Sequence, residues 1–520
     1  MYKHKGMQIV IGMVLVAMLL SACAPATPEP TEAPAEPTPE PVEERGTFRL
    51  THHAQAYGGA SFDPASPIRF LPAIYFLYDR LIGLDENGLP VPHLATSWEA
   101  DATAEKWTFK LREGVTFHDG KPFTSADVVY TFKHIFDPEL ESAVAAGLGI
   151  VDAEMIETPD DHTVVFNLTS GHADFPLLLV DYRVRMIREG SLDTIEENPI
   201  GTGSYTLERF DLDGTTVFVA NDDYWRGPPS LARIEVVAMA DSEARVQAFL
   251  AGQIDLAEEI GSEQLAMFED DPNYVIREVP TGYWHNFVMN VTLPPFDDVR
   301  VRQAMKLVVD RQEIIDVVLQ GHGSMAYDHP VWPGDPYFLE LDLPQDIEKA
   351  KELLDEAGYP DGLTVELYVS DIDPFMIPIA VVYKEQAAEA GINVEIKQVP
   401  SDGYWDDVWM VEPFCGSHWG QRTADQILNE AFRCDASWNE TYWCNEEFDQ
   451  AIDDARSELD LVKRTELYQS AQQMIVDEGG EIVFLFKNEI DVINARVKGI
   501  PLDKFEFSDI PWHEVYIEEQ

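Results

Sequence analysis

The chain has 520 residues, 45% of them hydrophobic, and a formal net charge of -58 at pH 7. That length accommodates two or three domains, and the apolar content is that of a globular protein. So large an acidic excess excludes nucleic acid and anionic membrane surfaces as partners, since both would repel it.

In chain order, Lys3 and Lys5 precede an apolar run from Ile9 to Leu20, and Leu20-Ser21-Ala22-Cys23 follows. A positive start, a short apolar stretch and small residues read as a signal peptide over 1–22, too short for a comfortable membrane span. Cys23 directly after the small residues resembles the bacterial lipoprotein box. The resemblance implies a diacylglycerol on the Cys23 sulfur and cleavage before it. Residues 24–44 are almost entirely Ala, Pro, Thr and Glu. Such a segment has nothing to bury, so 23–45 is expected to be an extended linker of roughly 3 Å per residue. The rest carries no second long apolar run. It is expected outside the cytoplasm, periplasmic or held to the outer face of the cell membrane by lipid alone.

From there, strand-like and helix-like segments alternate. Trp107, Phe109 and Leu111 alternate with polar residues, and so do Val164, Phe166 and Leu168. Val365, Leu367 and Val369, then Val394 and Ile396, repeat the period-two pattern of half-buried strands. Thr124 to Asp127 has capping-box spacing ahead of Val128, Phe132, Ile135 and Phe136. Asp310 to Glu313 offers a similar start ahead of Ile314, Ile315, Val317 and Val318. Ile347, Ala350, Leu354 and Ala357 form a helical stripe that Gly358 ends and Pro360 prevents from resuming. Many short mixed elements predict an α/β or α+β protein.

Besides Cys23 there are Cys415, Cys434 and Cys444. An odd count outside the cytoplasm suggests one disulfide and one free thiol. Cys434 and Cys444 bracket a short polar-aromatic loop and are the preferred pair. No CxxC or HxxxH supports zinc, and His52-His53 on a strand would point to opposite faces. Neither a metal nor a cofactor is expected. P-loop, HExxH and GxSxG motifs are absent, and Gly201-Thr202-Gly203 lacks the third glycine of a dinucleotide site. A hydrolase would need a nucleophile and a base within reach of each other, and the sequence offers no such pair, so the chain does not read as an enzyme.

A family pattern emerges at Leu94 to Trp98, Trp107 to Phe123 (WTFKLREGVTFHDGKPF) and Ala126 to Tyr130. These blocks resemble the family 5 extracellular solute-binding proteins, the oligopeptide-, dipeptide- and nickel-type receptors of ABC importers. Gly201 to Tyr205, Asn221 to Gly227, Ala248 to Asp255, Pro295 to Ala304 and Asp346 to Gly362 continue the likeness in order. The resemblance implies an α/β, two-lobed periplasmic-binding-protein fold (class II, Venus-flytrap) with an extra inserted α+β domain. Lobe I would comprise 46–90, 200–291 and 488–520, the inserted domain 91–199, and lobe II 292–487. A small organic ligand, a peptide for choice, would be enclosed between the lobes by hinge closure. The partners implied are permease subunits with their ATPases, and the receptor is expected to be a monomer. An oligosaccharide or organic acid on the same fold, and a sensing lipoprotein uncoupled from transport, are the alternatives.

Peptide receptors of this family hold the ligand's ammonium with an aspartate in a W-x-x-D type segment. The matching stretch is Trp419 to Gln426, and Arg422 stands at the aspartate's position. A guanidinium binds a carboxylate or phosphate rather than an ammonium. Either Asp425 takes over the ammonium, or the ligand presents an anion, or Arg422 pairs with a local acid such as Asp425. Tyr57, Tyr283, Trp284, His285, Asn286, Tyr404 and Trp419 complete the expected ligand-binding set, with Trp405 and Trp409 as further candidates. Aromatic faces offer large contact area at little entropic cost.

Overall fold

The computed structural model describes residues 45–518, apart from 53–59, 86–87, 141, 240 and 503–506. Tyr57, Cys23, the signal peptide and the Pro-rich linker therefore lie outside the described residues.

The first strand, Thr47–His52, pairs in parallel with Arg233–Ala238, nearly two hundred residues later. Strands Thr215–Ala220 and Tyr205–Arg209 extend that sheet antiparallel. Its core joins Phe48, Phe76, Tyr205, Phe218 and Ile234 to Trp512 near the far end of the chain. A second four-stranded antiparallel sheet lies wholly between those strands in sequence. Its order is Ala95–Ala100, Lys106–Leu111, Thr163–Asn167, Glu157–Asp160. The alternation at Trp107, Phe109 and Leu111 buries all three. Helix Ser125–Ile135 covers this core with Val128, Phe132 and Ile135. Its start is fixed where Asp127 accepts from the Thr124 backbone N–H at 2.8 Å.

The GTG turn that closes this segment is a packing device. A Cβ on Gly201 would lie 1.8 Å from the Leu77 carbonyl oxygen, and one on Gly203 would lie 2.4 Å from that of Phe76. Only glycine allows the backbones to meet so closely.

The third sheet has seven strands. Leu256–Ala257, Glu481–Asn494, Tyr274–Met289, Phe414–Trp419, Leu363–Ser370 and Ile392–Val399 follow in order, and Gly323–Met325 adds to Glu481–Asn494. Leu363–Ser370 runs parallel to both of its neighbours. Side chains alternate between two cores. Ile482 and Phe484 face the one built on helices Val299–Leu307, Arg311–Val318, Ile347–Glu356 and Met376–Glu389. Val483 and Phe486 face the one built on Ala424–Ala431, Glu446–Ser457 and Leu461–Glu478. Helices on both faces of a partly parallel sheet make this an α/β layer structure.

Asp310 and Asp346 cap their helices through Glu313 N–H at 3.0 Å and Lys349 N–H at 2.9 Å. Ile314 and Ile315 are buried and Val318 packs against the same core, but Val317, about 100° round the helix from Val318, is exposed.

Two strands run farther than the rest. Tyr274–Met289 and Glu481–Asn494 pair along most of their length. At one end Ile490 and Val492 belong to a core with Val246 and Phe249, and Ile493 belongs to the core of the first sheet. At the other end Phe287, Met289, Ile482 and Phe484 belong to the α/β core. Between them the ladder breaks: Pro280 opposes Asn488 and Trp284 opposes Phe486, so Thr281, Gly282 and Tyr283 bulge opposite Lys487.

Candidate ligand-binding site

The bulge and the carboxyl ends of the parallel strands meet at one place. In partly parallel sheets that edge is where ligands bind, because the loops diverge there and leave a crevice. Strand Leu363–Ser370 delivers Asp373 to it, and strand Phe414–Trp419 delivers Gln421 and Arg422. Thr281 donates its hydroxyl to the Lys487 carbonyl at 2.7 Å, and Gly282 N–H donates to Gln421 Oε1 at 2.6 Å. Tyr283 N–H in turn donates to the Thr281 hydroxyl at 3.2 Å, and the bulge turns Tyr283 outward with 43% of its surface exposed. Lys487 Nζ stands 5.2 Å from the Tyr283 ring centroid. A Cβ on Gly420 would touch both Tyr283 and Arg422, so those two side chains share one spot. Trp332 packs against Gly282 beside them.

Strand register sets the next layer. Trp284 pairs with Trp419 and His285 with His418. The two indoles stack 6.0 Å apart at 5°. His285 Nε2 lies 3.2 Å from Asp373 Oδ1. Burial works against the Asp373 charge, but the adjacent imidazoles of His285 and His418 and the Phe375 N–H, which donates to it at 2.8 Å, hold its carboxyl down to about 2. His418 is edge-on to Trp405, which is 37% exposed. Trp438 is 46% exposed and leans on Trp419 with ring centroids 5.8 Å apart.

The sequence-derived candidates divide accordingly. Tyr283 and Arg422 stand at the exposed rim. Trp284, His285, Asn286 and Trp419 form the buried layer behind it. Arg422 donates from Nη1 to the Gln421 carbonyl at 3.0 Å, and its Nε lies 3.5 Å from Glu430, not beside Asp425. Two candidates sit elsewhere. Tyr404 is buried, and its hydroxyl donates to the Gly416 carbonyl at 2.8 Å, so it supports Trp405 rather than meeting solvent. Asp425, expected as a taker of a ligand ammonium, is saturated by the protein itself. Its oxygens engage His172 at 3.1 Å, Arg456 at 2.8 and 3.0 Å, and Tyr468 at 2.9 Å. Burial opposes its charge, yet His172 and Arg456 hold its carboxyl far below the usual carboxylate range.

Trp332, Asp373, Trp438, Glu440 and Lys487 were not among the expected site residues. The aromatic loop between Cys434 and Cys444 carried the signal for Trp438, since closing it fixes where its side chains point. Those two cysteines form a disulfide, and Cys415 is free and buried, its thiol pushed up by that burial. Among the described residues there is no group of three or more His, Cys, Asp or Glu that could hold a metal ion, and no helix long and apolar enough to cross a membrane.

The model of bacterial extracellular solute-binding proteins, family 5, matches residues 90–430. Di/tripeptide-binding protein 1 of Pseudomonas aeruginosa (strain UCBPP-PA14) is 29% identical over 463 residues, 81% of this chain and 85% of that protein. The dipeptide-binding protein of Escherichia coli (strain K12) is 28% identical over 480 residues, covering 84% and 88%. Among solved structures, HbpA2 from Haemophilus parasuis has a TM-score of 0.81 at 22% identity, covering 91% of this chain and all of that one. The periplasmic murein tripeptide-binding protein MppA, in its unliganded open form, has a TM-score of 0.80 at 21% identity, covering 92% and 98%. The chain has the two-lobed α/β fold of these binding proteins. It belongs to the bacterial extracellular solute-binding proteins of family 5, a family of receptors rather than enzymes.

Proposed function

We propose that this chain is the substrate-binding component of an ATP-driven importer and that its ligand is a short peptide. The observation that carries the reading is the meeting of Tyr283, Arg422, Lys487 and the exposed Trp405 and Trp438 around a strand bulge between two separate cores. Aromatic faces grip a peptide's apolar side chains, and Arg422 and Lys487 suit its terminal carboxylate. Relatives named for di- and tripeptides support the same class.

On this reading residues 46–90, 200–291 and 488–520 form one lobe, 91–199 the inserted domain and 292–487 the second lobe. The two long strands are the hinge, and the lobes close on the ligand about the bulge. Cys23 carries the lipid that holds the receptor at the membrane, and permease subunits with their ATPases receive the loaded form. Isothermal titration of the processed chain with defined di- and tripeptides tests the ligand class. Saturable one-to-one binding supports it, and no heat from any peptide, with binding of another solute, refutes it. An organic acid is the second reading, favoured by Arg422 at the position where an ammonium-binding aspartate is expected.

A further inference from the structure

Glu440 is the odd group in the site. It is buried, and its carboxylate accepts four hydrogen bonds from neutral donors on three segments of the chain. Asn286 Nδ2 donates at 2.8 Å, Ser417 Oγ at 2.9 Å and Trp419 Nε1 at 3.1 Å, and Trp409 Nε1 also donates. Asn286 comes from strand Tyr274–Met289, Ser417 and Trp419 from strand Phe414–Trp419, and Trp409 from the turn after helix Tyr404–Asp407. Glu440 itself lies on the disulfide-closed loop, two residues after the exposed Trp438.

Burying a carboxylate among neutral donors is a poor way to gain stability, since apolar side chains of similar volume do as well or better. What it does provide is direction. An indole can be packed in two orientations related by a flip about its Cβ–Cγ bond, and an N–H donated to a fixed acceptor selects one of them. Glu440 makes that selection for Trp409 and Trp419 together. Trp405 meets Trp409 edge-on at 5.8 Å, and Trp438 meets Trp419 at 5.8 Å. The two exposed rings therefore rest on the two rings that Glu440 orients.

We infer that Glu440 is a positioning residue for the ligand site, and that the Cys434–Cys444 loop is the arm that holds it, and Trp438, against the indole wall. The wall's part in binding rests on the receptor reading above, whereas the orientation of the wall does not. Glu481 fits the arrangement. Burial, and then the neighbouring Glu440, push its carboxyl well above the usual range, so the two acids share the pocket on unequal terms.

The test is Glu440→Gln in the full chain, which keeps the volume but turns one acceptor oxygen into an NH2 facing donors. Near-UV circular dichroism and acrylamide quenching of tryptophan fluorescence report the wall without any ligand, and far-UV dichroism reports the fold. The expected result is an unchanged far-UV spectrum, a weakened near-UV indole signal and stronger quenching. Affinity for the dipeptide Met-Leu is expected to fall roughly tenfold or more, the worth of a charge-assisted hydrogen bond. Ser417→Ala, which removes one bond to Glu440 but frees no indole, is expected to keep the wild-type near-UV spectrum. A folded Glu440→Gln protein with wild-type near-UV spectrum and quenching overturns the inference. If Glu440→Gln does not fold, the Cys434→Ser/Cys444→Ser protein decides: a loosened indole spectrum supports the inference and an unchanged one overturns it. Should the wild type fail to bind Met-Leu while the spectra move, the orienting of the wall by Glu440 stands, and the titration series of di- and tripeptides decides the peptide reading separately.

Discussion

His172 Nε2 and Asp425 Oδ2 face each other 3.1 Å apart, although 253 residues separate them in the chain. His172 leaves the four-stranded sheet of residues 95–167, and Asp425 opens helix Ala424–Ala431 beside the seven-stranded sheet. Next to them Tyr337 donates its hydroxyl to Asp174 at 2.6 Å, and Arg464 approaches the same carboxylate at 3.0 Å. A buried polar seam thus ties the two sheets' cores together.

Removing Asp425 is therefore a stability experiment. Asp425→Ala leaves Arg456 without its carboxylate and Tyr468 without its acceptor. Breaking one side of a buried pair costs about 3–5 kcal/mol. Urea unfolding is expected to show a loss of that order, with peptide affinity of the folded protein close to wild type. A large loss of affinity at unchanged stability would return Asp425 to the ligand.

Arg422 should behave in the opposite way. It is partly exposed, and its internal partners are one carbonyl and Glu430 at 3.5 Å. Arg422→Ala is expected to change stability by less than about 0.5 kcal/mol. Peptide affinity should fall roughly 10- to 100-fold, the worth of about 1.5–3 kcal/mol for hydrogen bonds to a charged group. Arg422→Lys should recover only part, because an ammonium lacks the planar fork. Unchanged affinity in the calorimeter would leave Arg422 as a partner of Glu430 alone.

Asp335 carries a pH signature. It accepts from Tyr337 N–H and Ala424 N–H, both at 2.8 Å. Burial comes first, opposed by those bonds, and with the charges of Asp174 and Asp425 it pushes the carboxyl up to about 7. An unfolded aspartate titrates near ~3.9. Between those values the native state holds a proton that the unfolded state has lost, so this group's contribution falls as pH rises from about 4 to about 7 and is level above that. The effect is capped at roughly 4 kcal/mol. Asp335→Asn forfeits one N–H bond, about 1–2 kcal/mol at pH 5, but should flatten the slope. Urea midpoints at pH 5 and pH 7.5 read both. A slope identical to wild type would show that another group titrates there.

The disulfide loop gives a simpler expectation. Linking cysteines ten residues apart removes about 2–3 kcal/mol of unfolded-state freedom. Cys434→Ser/Cys444→Ser should lower the unfolding free energy by that amount under oxidising conditions and by almost nothing under reducing ones. A double variant equal to wild type under oxidising conditions would mean that the bond adds no stability.

Local pattern made the elements legible and left the partnerships hidden. Period two at Trp107 to Leu111, the start at Asp310 and the stripe from Ile347 to Ala357 are properties of neighbouring residues, and the strand and helices form there. Tyr283 to Asn286 and Trp419 stood out as aromatic runs, and strand register brings them together. Asp425 and Tyr404 looked like ligand groups because their partners, His172 in one case and the Gly416 carbonyl in the other, are set by tertiary packing. Glu440 gave no sign, since one acid among so many is conspicuous only when its four donors are seen. The bulge at 281–283 was equally silent, because it depends on the register against Lys487.

The most direct measurement of the receptor's role is native mass spectrometry of the protein purified without denaturation, followed by release and sequencing of whatever it carries. The account predicts a stoichiometric adduct that resolves into short peptides and is displaced, unaltered, by added dipeptide. A stoichiometric non-peptide solute that peptides fail to displace, or an added dipeptide returned cleaved, would contradict it.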